Sequence, residues 1–115
     1  MQSQTLGALE LIVLLAVIRL AEDAYGLAVR RDVSDRTQHD YSVGAVYTTL
    51  ERLETKGLIS SWASAPTPTR GGRSRRQFKV TASGVLALRE AEQRARSVWA
   101  GVGTAPEQSL NPKLA

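Results

Sequence analysis

The sequence predicts a mainly α-helical chain with one small β-hairpin: three helices, the hairpin, and a last long helix. Three observations predict it. Apolar residues recur at three- and four-residue spacing in four separate stretches. After Gly57 that period gives way to partial alternation rich in β-branched, hydroxyl and aromatic residues. Positive charge is gathered beside that change: residues 1–69 hold 6 Lys+Arg against 8 Asp+Glu, and residues 70–96 hold 8 against 2.

The first helix is expected over residues 6–21. Leu6, Leu9, Val13, Ala16, Val17 and Leu20 form one face, but Leu11, Ile12, Leu14, Leu15 and Ile18 are apolar as well. In a chain of 115 residues, one side of so greasy a helix either fills a central core or is covered by another subunit. A short connection, 21–24, offers Asp23 as the N-cap of a second helix over 25–34, with Tyr25, Val29 and Val33 at i, i+4 and i+8. Residues 35–41 are polar and non-periodic, a turn in which His39 should face solvent.

The third helix is the most informative element. Ser42 can cap its first turn, and Lys56-Gly57 close it with a basic turn and a residue suited to a left-handed C′ position. Val46, Leu50 and Leu53 make one narrow apolar stripe. The remaining faces carry Gly44, Tyr47, Thr48, Thr49 and Arg52, short or hydroxyl-bearing for the most part. Such a helix can enter a nucleic-acid groove. Two short helices, a turn and this third helix form a helix-turn-helix pattern.

Residues 58–63 then read as a strand, with Trp62 in core or hairpin packing. Pro66, Pro68 and Gly71-Gly72 form the connection, and residues 77–80 the return strand. A helix-turn-helix followed directly by a hairpin is a winged helix, the hairpin being its wing. Arg70, Arg73, Arg75 and Arg76, with Lys79 beyond, lie in the wing without an intervening acid. Guanidinium forks suit phosphate oxygens and base edges, although a charge run can also protect an exposed hairpin edge. Thr81 caps a last helix running to about residue 100. Its stripe is Leu88, Ala91, Ala95, Val98 and Val102, with Val85 and Trp99 beside it. The expected division is a winged helix-turn-helix DNA-binding domain over 1–81, a C-terminal dimerisation helix over 82–102 and a flexible tail over 103–115.

Several function classes are disfavoured. There is no cysteine and only one histidine, so neither a thiolate metal site nor a His-rich zinc site is available. No strand–glycine-loop–helix phosphate motif occurs, and catalysis is not expected. The longest apolar run, residues 11–18, is far short of the roughly 20 needed to cross a bilayer. No basic segment precedes it as in a signal peptide. A soluble, cytoplasmic protein without cofactor or metal is expected. A groove-entering helix suits B-form DNA better than the deep, narrow major groove of A-form RNA. A winged helix serving protein–protein contacts is the rival reading, though it would not need this concentration of positive charge.

In combination these residues resemble the PadR family of bacterial winged-helix transcriptional regulators. The matching residues are Leu6-Gly-Ala-Leu-Glu10, Ala24-Tyr25-Gly26, and Gly44-Ala-Val-Tyr47 with Leu50, Arg52, Leu53 and Gly57-Leu58-Ile59. Gly71-Gly-Arg73, Arg76, Phe78, Val80-Thr81 and Gly84 complete them. Gln77 departs from a position where the family often has an aromatic. The resemblance implies a homodimer joined through the N-terminal and C-terminal helices. It implies operator binding, usually repression, sometimes relieved by a small molecule, and the single last helix matches the shorter branch of the family. The DNA-contacting residues expected here are Ser42, Gly44, Tyr47, Thr48, Arg52, Arg70, Arg73, Arg75 and Arg76. Tyr47 could direct its hydroxyl to a phosphate or serve as a core residue, and Arg52 could instead pair with Glu51 or Glu54. Trp99 is the candidate for stacking a planar effector, against the alternative of filling a gap between helices.

Overall fold

The computed structural model describes residues 5–64 and 75–102. Its elements are α1 (Ala8–Leu20), a 3-10 turn (Ala21–Asp23), α2 (Gly26–Thr37), α3 (Val43–Thr55), β1 (Ile59–Ala63), β2 (Arg76–Val80) and α4 (Ala82–Trp99). The chain is mainly helical with a two-stranded antiparallel hairpin. Arg70, Gly71, Gly72 and Arg73, the connecting prolines Pro66 and Pro68, and the 103–115 tail lie outside the described residues.

α1 buries Val13, Leu14, Ala16 and Val17 against α2 and α3, with Leu9, Ile12 and Leu20 packed against that core. Its outer face is not covered: Leu15 and Ile18 stay exposed. Its first turn is closed by Glu10, whose Oε1 accepts from the Gly7 N–H at 2.8 Å. Lys56 Nζ donates to the other oxygen at 2.7 Å, joining the start of α1 to the turn that ends α3. Burial pushes the Glu10 carboxyl up. The hydrogen bond and charge of Lys56, the Gly7 N–H and the nearby Arg52 charge outweigh burial and hold it below the ordinary 4.5.

The expected start of the second helix is corrected. Asp23 is not its N-cap; it belongs to the 3-10 turn, and the capping position is Tyr25, with extended backbone and no side-chain cap bond. The cause lies in β2. The Phe78 N–H donates to Ala24 O at 2.9 Å, Tyr25 bridges Gln77, and Gln77 Nε2 donates to Glu22 O at 2.7 Å. These contacts hold Ala24 out of helical geometry and Tyr25 extended, so helix begins only at Gly26. α2 also runs past the expected Ser34, to Thr37. Its last turn is polar, with Arg36 reaching back to Asp32 and Gln38 ending the helix in a left-handed conformation (φ 58°), so apolar periodicity stops before the helix does.

α3 starts where its cap residue places it, with Ser42 Oγ accepting from the Ala45 N–H at 3.1 Å. At its other end Gly57 adopts φ 77°. The Leu58 N–H returns to Leu53 O and the Gly57 N–H to Glu54 O, satisfying carbonyls the helix leaves free. Thr49, expected on an outward face, is buried with Val46, Leu50 and Leu53. Its hydroxyl donates to Ala45 O at 2.8 Å, so no polar group is left unpaired there.

In the hairpin Ile59 pairs Val80, Ser61 pairs Phe78 and Ala63 pairs Arg76. Phe78 and Ile59 enter the core, whereas Trp62 stays 42 % exposed on the hairpin, opposite Gln77, and is not a core residue. Thr81 Oγ1 donates to Gly57 O at 2.7 Å and accepts from the Gly84 N–H at 3.1 Å, starting α4 directly beneath the hairpin. A Cβ on Gly84 would fall 2.2 Å from Leu58 O, so only glycine allows that approach. α4 buries Gly84 and Ala87, half-buries Leu88 and Ala91, and is exposed from Glu92 onward. Its last two turns overhang the core. Among the described residues no helix is long and apolar enough to cross a membrane.

Candidate nucleic-acid interface

The stripe that buries Val46, Leu50 and Leu53 turns Gly44, Thr48, Glu51 and Thr55 outward, and all four are exposed. A Cβ on Gly44 would meet nothing within 4 Å, so the fold itself does not require glycine at this position. Its effect is to leave the N-terminal turn of α3 bare, where free N–H groups and the helix dipole favour an anion. Ser42 accepts its capping bond and retains its own O–H for donation.

Tyr47 sits between the helices and the hairpin, 37 % exposed. Its ring lies over Gly26, where a Cβ would fall 2.2 Å from the phenol oxygen, so Gly26 clears the space Tyr47 occupies. From there Tyr47 borders two clefts. One, of about 390 Å³, is lined by Tyr25, Gly26, Leu27, Ala28, Arg31, Tyr47, Arg75 and Arg76. The other, of about 350 Å³, runs between α3 and β2 and is lined by Tyr47, Leu50, Glu51, Glu54, Arg76 and Phe78.

The two arginines at the start of β2 have separate supports. The Arg75 guanidinium lies 4.1 Å from the centroid of the Tyr25 ring, a cation–π contact that holds its plane while leaving N–H groups free to donate. Arg76 Nη2 lies 3.8 Å from Glu54 Oε2 on α3. The described base of the hairpin and the recognition-type helix therefore share one side of the molecule. Three positive side chains (Arg31, Arg75 and Arg76) and two phenols converge there, an arrangement suited to phosphate oxygens.

Of the residues expected from sequence, Tyr47, Arg75 and Arg76 come together at these clefts, and Ser42, Gly44 and Thr48 lie along the exposed N-terminal half of α3. Arg70 and Arg73 lie outside the described residues. Arg52 lines neither cleft; its charge is felt by Glu10, on the α1 side of α3, and no ion pair to Glu51 or Glu54 is present among the described residues. Trp99, 57 % exposed near the end of α4, lies away from the clefts. Tyr25 and Arg31 belong to the site, although the sequence patterns do not single them out as contacts. Tyr25 matches a helical stripe, yet it stands before the helix, beneath Arg75. Arg31 adjoins Arg30, but only Arg30 is committed internally, to Tyr41 O at 2.8 Å and to Asp40 at 3.1 Å.

A sequence model described as the transcriptional regulator PadR-like family matches residues 14–90, two thirds of the chain. The chain belongs to this family. PadR regulators are DNA-binding proteins rather than enzymes. Similar solved structures include a PadR family regulator from Eggerthella lenta at 29 % identity, covering 84 % of this chain and 81 % of that one with TM-score 0.63. A PadR-like regulator from Bacillus cereus is 25 % identical, covers 80 % of this chain and 84 % of that one, and has TM-score 0.66. A PadR family regulator from Clostridium difficile, at 24 % identity, covers 80 % and 91 % with TM-score 0.63 and supports the fold alone. No curated protein matches. Gln77, which departs from the aromatic often found in PadR proteins, here supplies the hydrogen bond that ties β2 to the 3-10 turn.

Proposed function

We propose that the chain is a cytoplasmic, homodimeric transcriptional repressor that grips operator DNA with α3 and the hairpin. The observation that carries this reading is the convergence of Arg31, Arg75, Arg76, Tyr25 and Tyr47 beside the bare N-terminal half of α3. α3 enters the major groove and presents Gly44, Thr48 and the Ser42 hydroxyl to base edges or phosphates. Arg75 and Arg76, together with Arg70 and Arg73 of the segment between the strands, supply backbone and minor-groove contacts. Residues 1–81 act as the DNA-binding unit and residues 82–102 as the dimerisation helix.

Dimerisation is supported by the apolar surface left on the back of the protomer. Leu11 and Leu15 of α1 face Leu88, Ala91 and Ala95 of α4 across a cleft of about 370 Å³, and Val98, Trp99 and Val102 continue that surface into the overhang. In the proposed dimer the two α3 helices enter successive major grooves, about 34–36 Å apart, on a pseudo-palindromic site. In such a dimer Trp99 is the residue on which a planar effector would stack.

The test is the R75A/R76A double variant, titrated against fluorescein-labelled duplexes at several salt concentrations. Binding should weaken on every sequence, and the salt slope should become shallower by about 0.9 for each phosphate that is no longer neutralised. A wild-type slope in that variant would overturn the assignment.

A further inference from the structure

The cleft between α3 and β2 holds a cross-element ion pair on the side assigned above to DNA. Among the described residues that line it, Arg76 is the sole cation, and it shares the cleft with two carboxylates of α3, Glu51 and Glu54. The Arg76 Nη2–Glu54 Oε2 separation of 3.8 Å is beyond hydrogen-bond reach, so the attraction is Coulombic and the guanidinium is not clamped. The carboxylate is the fixed member of the pair. Ser61 Oγ on β1 donates to Glu54 Oε2 at 2.7 Å, and Glu54 is less exposed than Arg76, 37 % against 59 % by side chain. A phosphate approaching this side competes with Glu54 for Arg76, and Glu54, held by Ser61, does not follow the guanidinium outward.

We propose that Glu54 is a built-in competitor for Arg76, a carboxylate that withholds this arginine from the DNA backbone and lowers the affinity for duplexes that offer only phosphate contacts. The proposal rests on the DNA-binding reading of Arg76. Its consequence is a lower affinity for DNA than the arginines alone would give. On non-specific DNA the broken ion pair opposes a phosphate contact of similar strength; an operator makes the same exchange, so absolute affinity falls on both while base-edge contacts from α3 still set the ratio between them. Glu51 lines the same cleft but has no comparable hold from β1, so the role falls to Glu54.

The experiment uses the full chain and a fluorescein-labelled random-sequence duplex of about 30 base pairs, titrated by anisotropy from roughly 50 to 200 mM KCl. Wild type, E54Q, R76A and E54Q/R76A are compared. Glutamine keeps an acceptor for Ser61, so thermal melts of E54Q and wild type should coincide. E54Q should bind about two- to fivefold tighter, the range an exposed ion pair spans, with a salt slope steeper by up to about 0.9. In the R76A background the same substitution should have little effect. Equal gains in both backgrounds would mean that Glu54 acts only as a general negative charge, and would overturn the proposal. Unchanged or weaker binding by E54Q would overturn it too, since Glu54 would then be idle or would be positioning Arg76 for DNA. If R76A loses affinity while E54Q gains none, only the competition is wrong. If wild type and R76A bind alike, the DNA reading of Arg76 has failed as well.

Discussion

α1 and α3 are each thirteen residues long and bury their inner faces in the same core, yet their outer faces differ in kind. α1 leaves Leu15 and Ile18 uncovered, with Leu11 and Ile12 half-covered. α3 leaves Gly44, Thr48, Glu51 and Thr55. The inner faces are alike because packing against the same core asks for little beyond apolar volume at helical spacing. The outer faces are left to whatever each meets next. Apolar side chains in water call for a second protein surface, whereas small polar groups beside a row of arginines suit a hydrated polyanion.

Changes at the joint between the two helices should have the largest effect. Glu10 and Lys56 connect α1 to the end of α3, and the Glu10 side chain is only 8 % exposed. Glu10→Gln should cost about 2–3 kcal/mol of folding stability, somewhat less than breaking a fully buried pair because Lys56 is partly hydrated. Chemical denaturation at neutral pH would measure it. The pH dependence has a definite sign. The Glu10 carboxyl is held below its ordinary 4.5, so its contribution is present above that value and is lost as pH falls through the lower folded pKa. Asp32, held below its ordinary 3.8 mainly by the Arg19 hydrogen bond, adds an acid-side loss of the same sign. The denaturation midpoint should therefore drop in acid for wild type and drop less steeply for E10Q.

A test of intermediate size falls on the outer face of α1. Leu15→Ala removes apolar surface that the proposed dimer would bury and should weaken self-association by about tenfold or more. Sedimentation at several concentrations would detect that shift, with little change in the fold of the protomer. An unchanged association constant would place the partner of α1 elsewhere. The smallest expected effect is on α3. Gly44→Ala meets open space in the protomer and replaces a poor helix former, so stability should rise by up to about 1 kcal/mol. DNA affinity should nevertheless fall, because the added methyl sits on the face presented to the groove. Opposite signs in the two measurements would sharpen the contrast between the helices; a parallel rise would remove Gly44 from the interface.

Much of this architecture can be read locally. Ser42 and Thr81 each cap the helix that follows, and Gly57 takes the left-handed turn. The three-residue spacing in Thr81-x-x-Gly84 reflects one cap bond and one close passage under Leu58. Each of these depends on a backbone need that a few neighbouring residues meet. The departures from local expectation share one origin. Asp23 and Tyr25 resemble the opening of a helix when local propensity is the only guide, but a strand more than fifty residues further along bonds to Ala24 and bridges Tyr25, so the helix opens only at Gly26. Thr49 reads as an outward polar residue because its back-bond to Ala45 O is invisible until the helix packs.

The sequence by itself determined the element order, the helix ends set by caps, the family, and the concentration of positive charge after residue 69. Those features depend on residue type at short range, where propensity, capping geometry and charge act without knowledge of the rest of the chain. Tertiary structure alone decided that Tyr25 lies beneath Arg75, that Arg76 faces a carboxylate fixed by Ser61, and that Glu10 meets Lys56 across 46 residues. Side-chain interactions of this kind reach only a few ångströms, so which distant residues meet depends on how the helices and hairpin pack.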